Sequence, residues 1–284
     1  MTEPEILDTR RTRAELIFKI MLQSCFQERA YVSAGTEVAK SALSIDLVAI
    51  LKDSLPIEEQ LDLESIFGPL GQVNIFENKS PVDVVDEKAL YQLLAYGYLY
   101  AREEKMSLEM LSGMLHLFLL GVNLFQRPFF QYLKKEQKIR ESHHPWIYFL
   151  DEALLRLTII DVECVPLEEK YAPLMIFAST HERKRQVADL LISHQSTLML
   201  YLNYFLTLNQ KDSILPEVIR KMTEEQVEFT IEQKKMMLEA MGGPEVAIEV
   251  MGGPEKVTEV MGGPEKAIEV ISQMLKRKKQ ERQE

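Results

Sequence analysis

Between Val73 and Tyr96 the sequence VNIFENKSPVDVVDEKALYQLLAY passes from an apolar run to a helical pattern. The apolar part ends in Glu77-Asn78-Lys79, and the helical part carries Gln92 and Tyr96. In a strand, successive side chains alternate faces, so Glu77 and Lys79 project to one side while Phe76 and Asn78 project to the other. A carboxylate and an ammonium are thereby held side by side. A hard divalent cation takes carboxylate oxygens, and a hydrolytic site gains from a lysine that orients an attacking water. A second apolar run, ALSIDLVAIL from Ala42 to Leu51, is interrupted by one acid, Asp46. A carboxylate inside such a strand is costly to bury unless something binds it. Two neighbouring strands carrying Asp46 and Glu77 with Lys79 would converge on one metal position.

Asp46, Glu77-x-Lys79 and the helix with Gln92-x-x-x-Tyr96 resemble the PD-(D/E)XK nuclease superfamily, including the Gln-x-x-x-Tyr helix of its RecB-like exonuclease members. The resemblance covers roughly residues 10 to 105. Further along, SGMLHLFLLG and the stretch from His144 to Ser179 are similar in texture to the Rpn-type recombination-promoting nucleases and their transposase-like relatives. Many of those carry Glu-x-Gln where this chain has Glu-x-Lys, a departure that favours a complete catalytic set. The resemblance implies an α/β, restriction-endonuclease-like mixed sheet flanked by helices, with a helical C-terminal extension. It also implies a nuclease dependent on Mg2+ or Mn2+, with Asp46 and Glu77 as metal ligands, Lys79 positioning the water, and Gln92 and Tyr96 in support. A glutamate on the first helix often reaches the metal in such proteins; Glu15 is the candidate and Glu28 the runner-up. The plainer reading of Glu15 is a surface side chain paired with Arg11 or Lys19 at helical spacing. DNA is the expected partner, with RNA and a homodimer left open. The alternative is a catalytically inactive relative that serves as a DNA-associated or protein-interaction module.

The chain has 284 residues, 46% of them hydrophobic, enough for one sizeable core with appendages. Its net charge of −11 opposes broad coating of nucleic acid, which relies on Lys and Arg. Local clusters such as Lys134-Lys135, Arg183-Lys184-Arg185 and Lys276-Arg277-Lys278-Lys279 could still line a groove. Cys25 and Cys164 form no CxxC pair, His143-His144 lacks a third ligand at zinc spacing, and no Gly-x-Ser-x-Gly elbow occurs. No signal-peptide pattern opens the sequence and no apolar run reaches the ~20 residues of a membrane span, so a cytoplasmic protein away from membranes is expected.

The pattern predicts a helix over Thr9–Gln27 with Leu16, Ile20 and Leu22 or Gln23 inward. A strand is predicted at Tyr31–Ser33, a helix or lid-like insertion over Ile57–Phe67 and a helix over Val85–Arg102 capped by Asp83 or Asp86. Strands are predicted from Met106 through Gly121, although a short helix there fits too, and at Trp146–Leu150, Leu155–Val165 and Tyr171–Ala178. Pro81 should stop the Glu77 strand. His181–Leu208 reads as helical, followed by a helix restarting at Thr223 with Gln226 as its capping-box partner. The expected division is a nuclease-like domain over 1–210, a helical extension over 211–240, three ten-residue MGGPE repeats over 241–270 and a charged tail over 271–284. A ten-residue repeat cannot bury a core by itself. Truncation at Met241 is therefore expected to leave the thermal unfolding midpoint nearly unchanged; a large drop in a melting experiment would refute that.

Overall fold

The computed structural model describes residues 3–37, 44–79, 85–150, 154–209 and 212–225, with scattered positions between 238 and 268. The chain forms two compact units, Met1–Ser179 and Thr180–Glu284.

In the first unit the elements run α1 (Glu3–Phe26), β1 (Ala30–Glu37), β2 (Ser44–Leu51), α2 (Ile57–Phe67), β3 (Val73–Asn78), α3 (Glu87–Glu103), α4 (Leu108–Met114), β4 (Leu115–Gly121), α5 (Pro128–Lys135), β5 (Ile139–Glu141), β6 (Ile147–Leu150), β7 (Arg156–Asp161) and α6 (Ala172–Met175). The described strands make one seven-stranded mixed sheet in the order β1-β2-β3-β4-β7-β6-β5, so the α/β architecture is as expected. β3, β4 and β7 are parallel, and antiparallel hairpins extend both edges. Parallel strands need helices on both faces, and β3 and β4 are accordingly buried along their whole length. On one face Phe26 of α1 and Phe67 of α2 pack on Phe76 of β3, which stacks on Phe118 of β4 with ring centroids 4.6 Å apart. The other face buries Leu90, Leu93 and Tyr96 of α3 and Phe130 and Leu133 of α5 in a cluster with Ile75, Leu117 and Leu119.

Local chemistry explains the boundaries. Pro56 precedes α2, and Gly68 ends it with φ of 84°. Asp86 caps α3 by accepting from the backbone N–H groups of Lys88 and Ala89 at 3.0 and 3.1 Å. The turn into β3 is held by buried Asn74, whose Oδ1 accepts from Gly71 N at 2.9 Å and whose Nδ2 donates to Gly71 O at 2.8 Å. A Cβ at Gly71 would lie 2.4 Å from the backbone oxygen of Met114, which cannot swing aside like a flexible side chain. Gly71→Ala is therefore expected to destabilise the unit by about 1–3 kcal/mol, measured by urea unfolding.

Several local expectations are corrected. On α1 the buried side is Ile17, Phe18, Met21, Leu22 and Phe26, whereas Leu16 and Ile20 are exposed. Apolar residues occupy more than one side of this helix, so periodicity alone does not select the inward stripe. β1 is longer than Tyr31–Ser33, because Gly35 takes φ of 66° within the strand instead of ending it. The run after Met106 is divided: Ser107 caps α4, and β4 starts only at Leu115. Tyr171–Ala178 is not a strand but a 3-10 turn followed by α6, with Pro173 in the first turn of that helix. The KKEQKIRE segment closes α5 and contributes the short edge strand β5. Pro81 lies outside the described residues.

The second unit contains α7 (His181–Ser193), α8 (Gln195–Leu208) and α9 (Leu215–Glu224). Ion pairs join α7 to α9: Arg185 to Glu217 at 2.8 Å and Lys221 to Asp189 at 2.6 Å. Thr223 lies inside α9 and does not start a new helix; Gln226 and most of the MGGPE repeats fall outside the described residues.

Candidate active site

The pairing of β2 with β3 sets Leu47 opposite Phe76 and Val48 opposite Ile75. Carried one step further, this register brings Asp46 beside Glu77 on a shared face. The ladder is finished by a side chain: Asp46 Oδ2 accepts from the backbone N–H of Asn78 at 3.0 Å. Its other oxygen lies 3.7 Å from Lys19 Nζ on α1. Glu77 is almost wholly buried, and its Oε1 accepts from Lys79 Nζ at 2.6 Å. The Lys79 backbone is itself anchored, its N–H donating to Leu120 O of β4 at 2.8 Å. Glu77 Oε2 is buried and has no hydrogen-bond partner. Leaving a carboxylate oxygen in that condition is costly, and native structures seldom do so without a use for it.

The electrostatics agree. Burial first and the Asp46 charge second push the Glu77 carboxyl up to about 7, with Lys79 only partly offsetting them. Asp46 is also raised, first by burial and then by the charge of Glu15, against the lowering effects of the Asn78 N–H and Lys19. Two acids whose ionisation is resisted by burial and by the charge of Glu15, and for Glu77 by Asp46 as well, form a place where added positive charge would be taken up readily.

Glu15 is half-buried on α1, and its charge acts on both Asp46 and Glu77. Glu28 lies in the turn after α1 with φ of 66°, and Glu15 stands about 16 Å of helix back from the last helical residue, Phe26, at 1.5 Å per residue. Gln92 Nε2 donates to the Tyr96 hydroxyl. The Tyr96 phenol is raised chiefly by burial, and the charges of Glu77, Lys79 and Asp46 all act on it, which sets this ring beside the acidic pair. Sequence reasoning missed Lys19 as the partner of Asp46; its place four residues after Glu15, on the same side of α1, was the available signal. It also missed a polar network at the carboxyl ends of β4 and β7. There Asp161 accepts from the N–H groups of Asn123 and Glu163, while Glu163 accepts from Ser179.

Among the described residues no group of three or more His, Cys, Asp or Glu is arranged to hold a metal. A Mg2+ site needs less from the protein, because that ion is usually held by one or two carboxylates with water and phosphate completing its shell. Asp46 and Glu77 match that donor set, and the partnerless Oε2 fits it. No helix among the described residues is long and apolar enough to cross a membrane. No protein-family model, curated protein or solved structure matches the chain.

Proposed function

We propose that the protein is a metal-dependent nuclease that hydrolyses phosphodiester bonds, with DNA as its expected substrate. The observation that carries this reading is the buried, partnerless Glu77 Oε2 beside Asp46, with an ammonium on the opposite oxygen. Asp46 and Glu77 would hold Mg2+ or Mn2+, with Glu15 contributing charge from α1. When bound, the ion would neutralise charge on the phosphoryl oxygens and make a coordinated water more acidic. Lys79, fixed through Glu77 and through its backbone bond to Leu120, would orient the attacking water toward phosphorus. The hydrogen-bonded Gln92 and Tyr96 would keep the helix side of Glu77 in place.

A second reading rests on the same ammonium groups. Lys79 on Glu77 and Lys19 near Asp46 give each acid a cationic partner, an arrangement that also suits a nuclease-like interaction module without catalysis. Incubating oligonucleotide and plasmid substrates with the full chain in Mg2+ or Mn2+, against an EDTA control, separates the two. Metal-dependent cleavage supports the nuclease. No cleavage of any DNA or RNA by folded protein supports the module.

A further inference from the structure

The outer face of α3 carries a pattern that its packing does not require. Lys88, Tyr91, Ala95, Tyr98 and Arg102 recur at spacings of three and four, so they form one stripe along the helix. All five are exposed; Tyr91 and Tyr98 keep 58% and 40% of their surface. Single exposed aromatic residues are ordinary, but two tyrosines about two turns apart, with Ala95 between them and a cation beyond each end, form one strip. Tyr132 of α5, 51% exposed, extends it sideways. The Tyr91 phenol is raised mainly by its hydrogen bond to Glu87, and Lys138 and Tyr132 lie near enough for their charges to act on it too. That bond occupies the hydroxyl and leaves the faces of the ring available. The stripe also borders the candidate site, because Gln92 follows Tyr91 directly and bonds to Tyr96.

Nucleobases stack on aromatic faces, and Lys and Arg beside such faces hold the backbone phosphates. Bases inside a duplex are already stacked on one another and hydrogen-bonded, so exposed tyrosines on a helix select strands whose bases are free. We infer that the Lys88–Tyr91–Ala95–Tyr98–Arg102 stripe, with Tyr132 and Lys138 beside it, is a track for single-stranded nucleic acid. The inference rests on the nuclease reading and narrows it, making single strands or single-stranded ends the substrate class of the Asp46–Glu77 site. Lys88, Lys138 and Arg102, the last also ion-paired to Glu103 at 2.6 Å, supply the cations in a chain of net charge −11, which suits guidance of one strand and not coating of a duplex.

The test measures binding separately from cleavage. Fluorescence anisotropy of a labelled oligo(dT) strand and of a labelled hairpin duplex is followed in EDTA with the full chain, with Tyr91→Ala/Tyr98→Ala and with Tyr91→Phe/Tyr98→Phe. Circular dichroism confirms the fold of each. The expected result is that wild type prefers the single strand. The double alanine variant should lose about tenfold or more in affinity for it, the phenylalanine variant should retain it, and duplex binding should be unaffected. Equal affinity of wild type and the alanine variant for oligo(dT) overturns the track even where the protein cuts DNA, and so does a wild type that binds only duplex or neither probe. Single-strand binding that depends on the tyrosines, in a protein that cuts nothing with Mg2+ or Mn2+, upholds the track and removes the nuclease reading alone.

Discussion

Asp46→Ala and Glu77→Ala are each expected to reduce metal-dependent cleavage at least a hundredfold, an order of magnitude set by what conserving a metal centre or a key polar group is worth (~10²-fold or more). Each removes a carboxylate from the pair that would hold the ion, and Asp46→Ala also removes the acceptor for the Asn78 N–H. Lys79→Ala leaves both acids in place and should impair cleavage to a similar degree while keeping part of the nucleic-acid binding, because the ammonium acts on the water and not on the bulk of the substrate. Cleavage of a labelled oligonucleotide in Mg2+, beside circular dichroism of each variant, checks all three. Activity that persists in folded Glu77→Ala, or in EDTA, would mean that the cutting originates elsewhere.

Glu77→Gln is expected to stabilise the metal-free protein at pH 8 while abolishing the proposed cleavage. The folded-state carboxyl sits at about 7 against an ordinary value of 4.5, so the folded chain holds this proton more tightly than the unfolded chain. The associated stability is fully present below about pH 4.5 and is lost as pH rises through about 7. At ~1.36 kcal/mol per pKa unit, the amount at stake is about 3 kcal/mol. Glutamine keeps the shape of the neutral acid and cannot ionise, so the variant escapes the loss. Urea unfolding in EDTA should show Glu77→Gln ahead of wild type by roughly that amount at pH 8 and level with it near pH 4. Adding Mg2+ at pH 8 should raise the wild type and not the variant. A variant less stable than wild type at pH 8 would mean that the Lys79 ion pair outweighs the burial of the charge.

Where the chain carries its own punctuation, the fold was legible in the sequence. Pro56 and Gly68 bracket α2, and the alternation in VNIFENK together with the Asp86 cap located β3 and α3. The same alternation gave the shared face of Glu77 and Lys79, which the structure joins at 2.6 Å. Apolar runs without breaks were harder. α4 passes directly into β4 at Met114–Leu115, and the nearest breaker, Gly113, lies inside the helix and not at the junction, so only Ser107 signals that a helix comes first. The run from Tyr171 to Ala178 is buried as a short helical segment, and burial imposes the same apolar composition on either backbone. The stripe on α3 was not picked out from the sequence, because the spacing of three and four places residues on one side but exposure depends on which side of the helix the sheet covers. The approach of Lys19 to Asp46 depends on how α1 lies against β2, a tertiary choice that no local pattern encodes.

The bond from the Asn78 N–H to the Asp46 carboxylate has one more consequence. A backbone donor at the end of a ladder holds the acid at the position from which it would act, while the following residue, Lys79, is tied to β4 through Leu120. Both groups thus take their places when the sheet zips up, and the entropy of ordering them is met during folding and not on each encounter with substrate. Such a centre would owe its speed to rigidity inherited from the strands, and loosening the β2–β3 pairing far from the chemistry would slow it without touching a single reacting group.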